Sequence, residues 1–125
     1  MLDASKISLP KGINEFNEVF MDIKRYGFIV KGPGYDPKVH RCVIENPSFR
    51  TEVVCVSSVN DALDVARNFV RDGVEVIELC GGFGEFDVNE ITASLRSDVP
   101  VGYVVFSKEE SCKLERLLSR DEAGD

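Results

Sequence analysis

Residues 74–86 read VEVIELCGGFGEF, an apolar run that ends at two consecutive glycines. The run is rich in valine and isoleucine, which predicts a buried strand, and the glycines predict a sharp turn directly after it. Glu78 stands inside this strand and Cys80 at its end. The stretch therefore predicts a strand that delivers two chemically active side chains to the mouth of a permissive turn.

Further apolar runs occupy residues 26–31, 51–56 and 99–106, and each predicts another strand. Helical patterns follow all four strands. After the first, Asp36 followed by Pro37 predicts a helix N-terminus, and the helix would end at Pro47. After the second, residues 60–73 carry an apolar face and end in a glycine that is typical of a helix C-cap.

The last two helices begin at predicted capping boxes, Asp87 with Glu90 and Ser107 with Glu110. The final helix is expected to bury three leucines: Leu114, Leu117 and Leu118. One more helix is expected before the first strand, with a stripe formed by Ile13, Phe16, Phe20 and Ile23.

Four strands that alternate with helices predict a single three-layer α/β/α domain. The expected sheet has four parallel strands in the flavodoxin-like, Rossmann-like order 2-1-3-4, covered by helices on both faces. The predicted domain spans residues 25–119, after a helical extension (1–24) and before a flexible tail (120–125). In this order a ligand crevice opens at the carboxyl ends of strands 1 and 3.

Composition favours one soluble globular domain, since 43% of the 125 residues are hydrophobic and 30% are charged. No secretory signal and no membrane-spanning run is apparent, so we expect a cytoplasmic protein. A net charge of −7 disfavours nucleic acid as a partner. The four cysteines lack C-x-x-C spacing, which disfavours both zinc and a disulfide framework, and we predict no metal site.

Two glycine-rich segments fall on the predicted crevice, and their backbone N–H groups could hold a carboxylate or a phosphate. We therefore expect a small anionic metabolite as ligand. The predicted ligand-binding residues are Gly32, Gly34, Tyr35, Asp36, Gly81, Gly82, Phe83 and Gly84. Neither segment matches a dinucleotide or P-loop fingerprint, so the pattern indicates no particular cofactor.

Three residues are candidates for catalysis: Glu78, Cys80 and His40. Glu78 is a general base or ligand contact, or else one half of a salt bridge. Cys80 is a nucleophile near a helix N-terminus, or else a small buried apolar residue. His40 is an acid or base facing the crevice, or else a solvated histidine.

Three segments carry a resemblance: GPGYDPKVHR, IELCGGFG and VPVGYVVF, in this order and spacing. Together they resemble a small family of microbial proteins classed as a domain of unknown function. The similarity runs from about Tyr26 to Leu118 and implies a compact single domain without implying an activity. The leading helix is an addition to the family pattern.

Three functions stay open on the sequence. The first is a metabolite-binding protein, and the second is a small enzyme that acts on a carbonyl or acyl compound. The third is a homo-oligomeric interaction protein whose leading helix docks on a neighbour.

Overall fold

The computed structural model describes residues 22–123, which form five strands and three helices. In chain order these are β1 (Arg25–Lys31), β2 (Arg41–Asn46), β3 (Phe49–Val56), α1 (Val59–Arg71), β4 (Val76–Leu79), α2 (Glu85–Leu95), β5 (Val101–Tyr103) and α3 (Lys108–Ala123). The predicted leading helix and most of its apolar stripe lie outside the described residues, so they stay predictions. None of the described helices combines the length and the apolar character needed to cross a membrane.

The five strands form one mixed sheet in the order β2-β3-β1-β4-β5. Strands β3, β1, β4 and β5 run parallel to one another, whereas β2 pairs antiparallel with β3 at one edge. The prediction of a four-stranded, purely parallel sheet in the order 2-1-3-4 is therefore wrong.

The error lies in β2, which the sequence pattern predicted as a helix. Asp36 does open a turn, because its carbonyl accepts the amides of Val39 and His40 at 3.0 and 2.8 Å. The chain then continues as an extended strand rather than a helix. The side-chain oxygen of Asn46 accepts the amides of Ser48 and Phe49, which makes the segment around Pro47 a hairpin turn.

Helices α1 and α2 both cover the same face of the sheet, which we call the helix face. The crossovers β3–α1–β4 and β4–α2–β5 step in the same direction across the sheet, so their right-handed sense places both helices on one side. The helix face carries the fully buried side chains Ile29, Val54, Val56, Ile77 and Leu79. A side chain at Gly27 would meet the Phe69 ring at 2.6 Å, so glycine lets α1 approach β1 closely.

The opposite face of the sheet carries Tyr26, Phe28, Val30, Val53, Cys55 and Glu78, all of them half-buried. No helix among residues 22–123 packs broadly against this face. The described architecture consequently has two layers, and the predicted third layer is absent from this part of the chain. The predicted apolar character of both faces is present, but described helices cover only one of them.

Helix α3 follows β5 and makes no extensive contact with any other described element. It starts as predicted, since the Ser107 hydroxyl accepts the amide of Glu110 at 3.3 Å. The prediction that it buries its leucines is wrong, because Leu114, Leu117 and Leu118 are 38%, 47% and 55% exposed.

Candidate functional site

A tyrosine–glutamate pair lies on the opposite face of the sheet. The hydroxyl of Tyr26 donates a hydrogen bond of 2.5 Å to Oε1 of Glu78. Parallel pairing sets Glu78 beside Phe28, and Tyr26 also stacks on Phe28 and Phe49 with ring centroids 6.4 and 6.2 Å apart. The carboxylate therefore lies among aromatic side chains and has one hydroxyl as its described partner.

This environment favours the protonated form of Tyr26. Burial raises the pKa of the Tyr26 hydroxyl well above its ordinary value of 10.0, and the hydrogen bond and negative charge of Glu78 raise this pKa further. Tyr26 consequently remains a hydrogen-bond donor to Glu78 at neutral pH.

Gly102 leaves space beside this pair. Gly102 is the β5 neighbour of Glu78, and a Cβ atom added there would meet Cγ of Glu78 at 3.9 Å. Because Gly102 has no side chain, β5 places no side-chain atom next to the Glu78 carboxylate. Sequence reasoning missed both Tyr26 and Gly102. The available signal was a tyrosine hydroxyl on an apolar strand, which normally needs a polar partner.

Cys80 lies just beyond the end of β4, two residues after Glu78. Its Sγ accepts the amides of Lys31 and Gly82 at 3.2 and 3.3 Å. The Cys80 amide in turn donates to the carbonyl of Ile29 at 3.1 Å, which extends the pairing of β4 with β1. The Cys80 sulfur thus accepts two backbone N–H groups, one from the end of β1 and one from the glycine turn.

Backbone amides of the glycine turn after Cys80 donate hydrogen bonds to acceptors within the protein. Gly82 donates to the Cys80 sulfur, Phe83 donates to the Cys80 carbonyl at 3.2 Å, and Gly84 donates to the Asp87 carboxylate at 3.1 Å. Asp87 also lies 3.8 Å from Nζ of Lys31. A carboxylate of the protein thus stands at the helix N-terminus where the sequence pattern placed a ligand anion. Anion binding at this turn stays a prediction.

The glycines of this turn also serve chain packing. A side chain at Gly82 would meet the Lys31 carbonyl oxygen at 2.8 Å, so this glycine permits close approach of the turn to β1. Phe83 is 3% exposed and belongs to the core beneath α2. Asp87 lies at the third position of α2, whose N-cap is Gly84, and so the predicted start at Asp87 is late by one turn.

The loop after β1 is likewise satisfied from within. Gly32 donates to the carbonyl of Val56 at 2.9 Å, and Nδ1 of His40 accepts the Asp36 amide at 2.9 Å. The rings of Tyr35 and His40 lie 5.3 Å apart, and both side chains are exposed. Gly34 has a φ of +76°, as its turn requires.

The structure brings some of the predicted site residues together and separates others. Glu78 lies in β4, and Cys80 follows two residues later, one residue past the end of this strand. His40 pairs with β3, and the order β2-β3-β1-β4 places it three strand spacings from Glu78, roughly 14 Å. Of the predicted catalytic residues, Glu78 and Cys80 are therefore two residues apart at the end of β4, and His40 lies on the far side of β3 and β1. Across residues 22–123, no three ligating side chains come close enough to hold a metal ion.

A family model, the family of unknown function DUF6506, matches residues 24–119. The chain belongs to this family. The match confirms the resemblance predicted from the sequence and covers every strand and the first turns of α3. No curated protein matches the chain, and neither does any solved structure. Membership in the family assigns no activity, so the function has to be argued from the site.

Proposed function

We propose that this chain is a small-molecule-binding protein whose ligand lies on the opposite face of the sheet and contacts Glu78. The observation that carries the proposal is the hydrogen bond between Tyr26 and Glu78 on a face that is otherwise largely apolar. A half-buried carboxylate costs free energy unless its oxygens are satisfied. Tyr26 satisfies Oε1, whereas Oε2 accepts no hydrogen bond from any residue in 22–123.

The chemistry of this site indicates the ligand class. Oε2 of Glu78 accepts a hydrogen bond, so the ligand would present an ammonium, hydroxyl or amide N–H group to it. An apolar part of the ligand would rest on Phe28 and Val30, with the space beside Gly102 open to it. The net charge of −7 also favours approach of a cationic group at long range.

A panel of metabolites screened by thermal shift tests this proposal, because a ligand that binds only the native state raises its apparent stability. We expect a hit to stabilise wild type and the control Glu90→Gln, which changes an exposed carboxylate on α2. The same hit should stabilise Glu78→Gln less, and Gly102→Val least, because that side chain fills the space beside Glu78. Equal stabilisation of wild type and Gly102→Val would place the ligand elsewhere.

A second candidate function is catalysis through Cys80, favoured by the two amides that donate to its sulfur. Cys80 would attack a carbonyl carbon, and Glu78, two residues before it, would take the thiol proton. The rate at which iodoacetamide alkylates Cys80 as a function of pH, separated from the exposed thiols of Cys42 and Cys112 by peptide mass spectrometry, reports the reactivity of this thiol. If Cys80→Ala retains full ligand binding and wild type shows no turnover of any bound compound, the binding function alone stands.

A further inference from the structure

A hollow of about 310 Å³ lies at the end of the sheet away from Cys80, between the start of β1 and the β2–β3 hairpin. The residues around it that matter are Lys24, Arg25, Glu45, Asn46, Ser48 and Arg50. Three of these side chains are basic and one is acidic. The side chains that line the hollow therefore sum to a positive charge, with the carboxylates of Glu52 and Glu75 next to them, on a chain whose overall charge is −7.

The two arginines of the hollow are direct neighbours. Arg25 and Arg50 are paired in the register of β1 with β3, an arrangement that is unfavourable for like charges unless a counter-charge lies nearby. Arg50 has such partners, since its guanidinium lies 3.3 Å from Glu45 and 3.9 Å from Glu52. Within residues 22–123, neither Arg25 nor Lys24 forms an ion pair.

Both arginines also have an unsatisfied donor. Among residues 22–123, the buried Nε atoms of Arg25 and Arg50 have no hydrogen-bond acceptor. Buried donors are almost always satisfied in folded proteins, so both guanidinium groups are incompletely partnered within the described part of the chain.

Hydrogen bonds from backbone amides fix the two chain segments that border the hollow. The amides of Lys24 and Arg25 both donate to Oε1 of Glu75, at 2.9 and 3.0 Å, which anchors the entry into β1. On the hairpin side, Oδ1 of Asn46 accepts the amides of Ser48 and Phe49. The amide nitrogen of Asn46 and the hydroxyl of Ser48 are thus additional donors on the rim.

We infer that this hollow binds a small oxyanion, a phosphate or a carboxylate group, between Lys24, Arg25 and the β2–β3 hairpin. Guanidinium groups suit such anions because their N–H donors match the geometry of carboxylate and phosphate oxygens. The inference is independent of the proposed function. It uses donors at the amino ends of the strands, whereas the Glu78 site offers an acceptor on the opposite face.

The experiment is an NMR titration of the full chain with inorganic phosphate, and separately with acetate, at constant ionic strength set by sodium chloride. We expect saturable shifts confined to the amides of residues 24–25, 46 and 48–50 for one anion or for both. Shifts with phosphate alone identify a phosphate site, and shifts with acetate alone identify a carboxylate site. Shifts with neither anion would overturn the inference.

Two variants and one control sharpen this titration. Lys24→Gln changes an exposed residue and should raise the apparent Kd of the anion about tenfold. Arg25→Gln should raise it further, and Lys24→Gln keeps the test valid if Arg25→Gln fails to fold. Lys108→Gln removes the same charge at the start of α3 and should leave the Kd unchanged. If Lys108→Gln weakens binding as much as Lys24→Gln does, binding depends on the overall charge of the chain, and the proposed site is wrong.

Discussion

The two faces of one sheet differ in what they pack against. On the helix face, Ile29, Val54 and Leu79 are fully buried under α1 and α2. On the opposite face, their strand neighbours Phe28, Val30 and Val53 stay half-buried and lie near a tyrosine–glutamate hydrogen bond. The helix face is therefore the closed core of the fold, whereas the opposite face keeps half-buried apolar and polar groups that the proposed ligand would contact.

Removing the Phe69 side chain should give the largest loss of stability. Phe69 is 2% exposed and lies directly over Gly27, so Phe69→Ala leaves a cavity between α1 and the sheet. We expect a loss of about 3–5 kcal/mol in the free energy of unfolding, measured by urea denaturation. The control Phe86→Ala changes a ring that is 79% exposed and should cost under about 1 kcal/mol. Comparable losses for the two would mean that α1 does not carry the core.

A matched pair of valines in β3 compares the two faces directly. Val54 is fully buried on the helix face, and its neighbour Val53 is half-buried on the opposite face. We expect Val54→Ala to cost about 2–3 kcal/mol and Val53→Ala about 1 kcal/mol. Strand propensity cancels, because both changes are identical and lie in one strand. Equal losses would show that the opposite face is packed as closely as the helix face.

Tyr26→Phe tests the polar pair on the opposite face. The change leaves Glu78 half-buried without its hydroxyl donor, so we expect a loss of about 1–2 kcal/mol. Tyr103→Phe, which alters an exposed ring on the helix face of β5, is the control and should stay within about 0.5 kcal/mol. If Tyr26→Phe leaves the free energy of unfolding unchanged, water replaces the lost hydroxyl donor to Glu78 without loss of stability.

The same variant carries a prediction for alkaline pH. The pKa of Tyr26 is raised in the native state, so above an ordinary value of 10.0 the unfolded chain loses this proton before the native chain does. The native state then binds more protons, and its stability falls as pH rises above about 10. We expect this fall to be shallower in Tyr26→Phe than in wild type, as followed by urea denaturation at a series of pH values. If the free energy of unfolding falls equally with pH in wild type and in Tyr26→Phe, the pKa of Tyr26 is not raised.

The sequence predicted the elements with strong local signals. Residues 76–79 form a strand as predicted, and the turn at Gly81 and Gly82 leads into a helix. The apolar face of α1 is buried as predicted, and Gly73 follows the helix with a φ of +89°. These features follow from periodicity and from backbone conformations that only certain residues favour.

The prediction from sequence failed where a correct local signal covered only a few residues. Asp36 and Pro37 start a turn as their capping chemistry requires, yet pairing with β3 then extends residues 41–46 into a strand. Propensity could not reveal this, because strand pairing is a tertiary interaction. The glycine turn was predicted as an anion site for a different reason: the prediction did not count the nearby side chains of Cys80 and Asp87, which accept the amides of Gly82 and Gly84.

The smallest effect is expected on α3, which belongs to neither face. Leu117 is 47% exposed, and glutamine has a helix propensity close to that of leucine, so Leu117→Gln should change the free energy of unfolding by no more than about 0.5 kcal/mol. The measurement is urea denaturation of dilute protein, with Leu79→Gln in the buried core as the contrasting variant. A loss above about 1 kcal/mol would mean that the leucine stripe of α3, formed by Leu114, Leu117 and Leu118, packs within its own chain. Repeating the measurement at high protein concentration tests whether copies of the chain associate through α3, a contact distinct from the predicted docking of the leading helix. If copies associate through this stripe, wild type gains stability with concentration by mass action and Leu117→Gln does not.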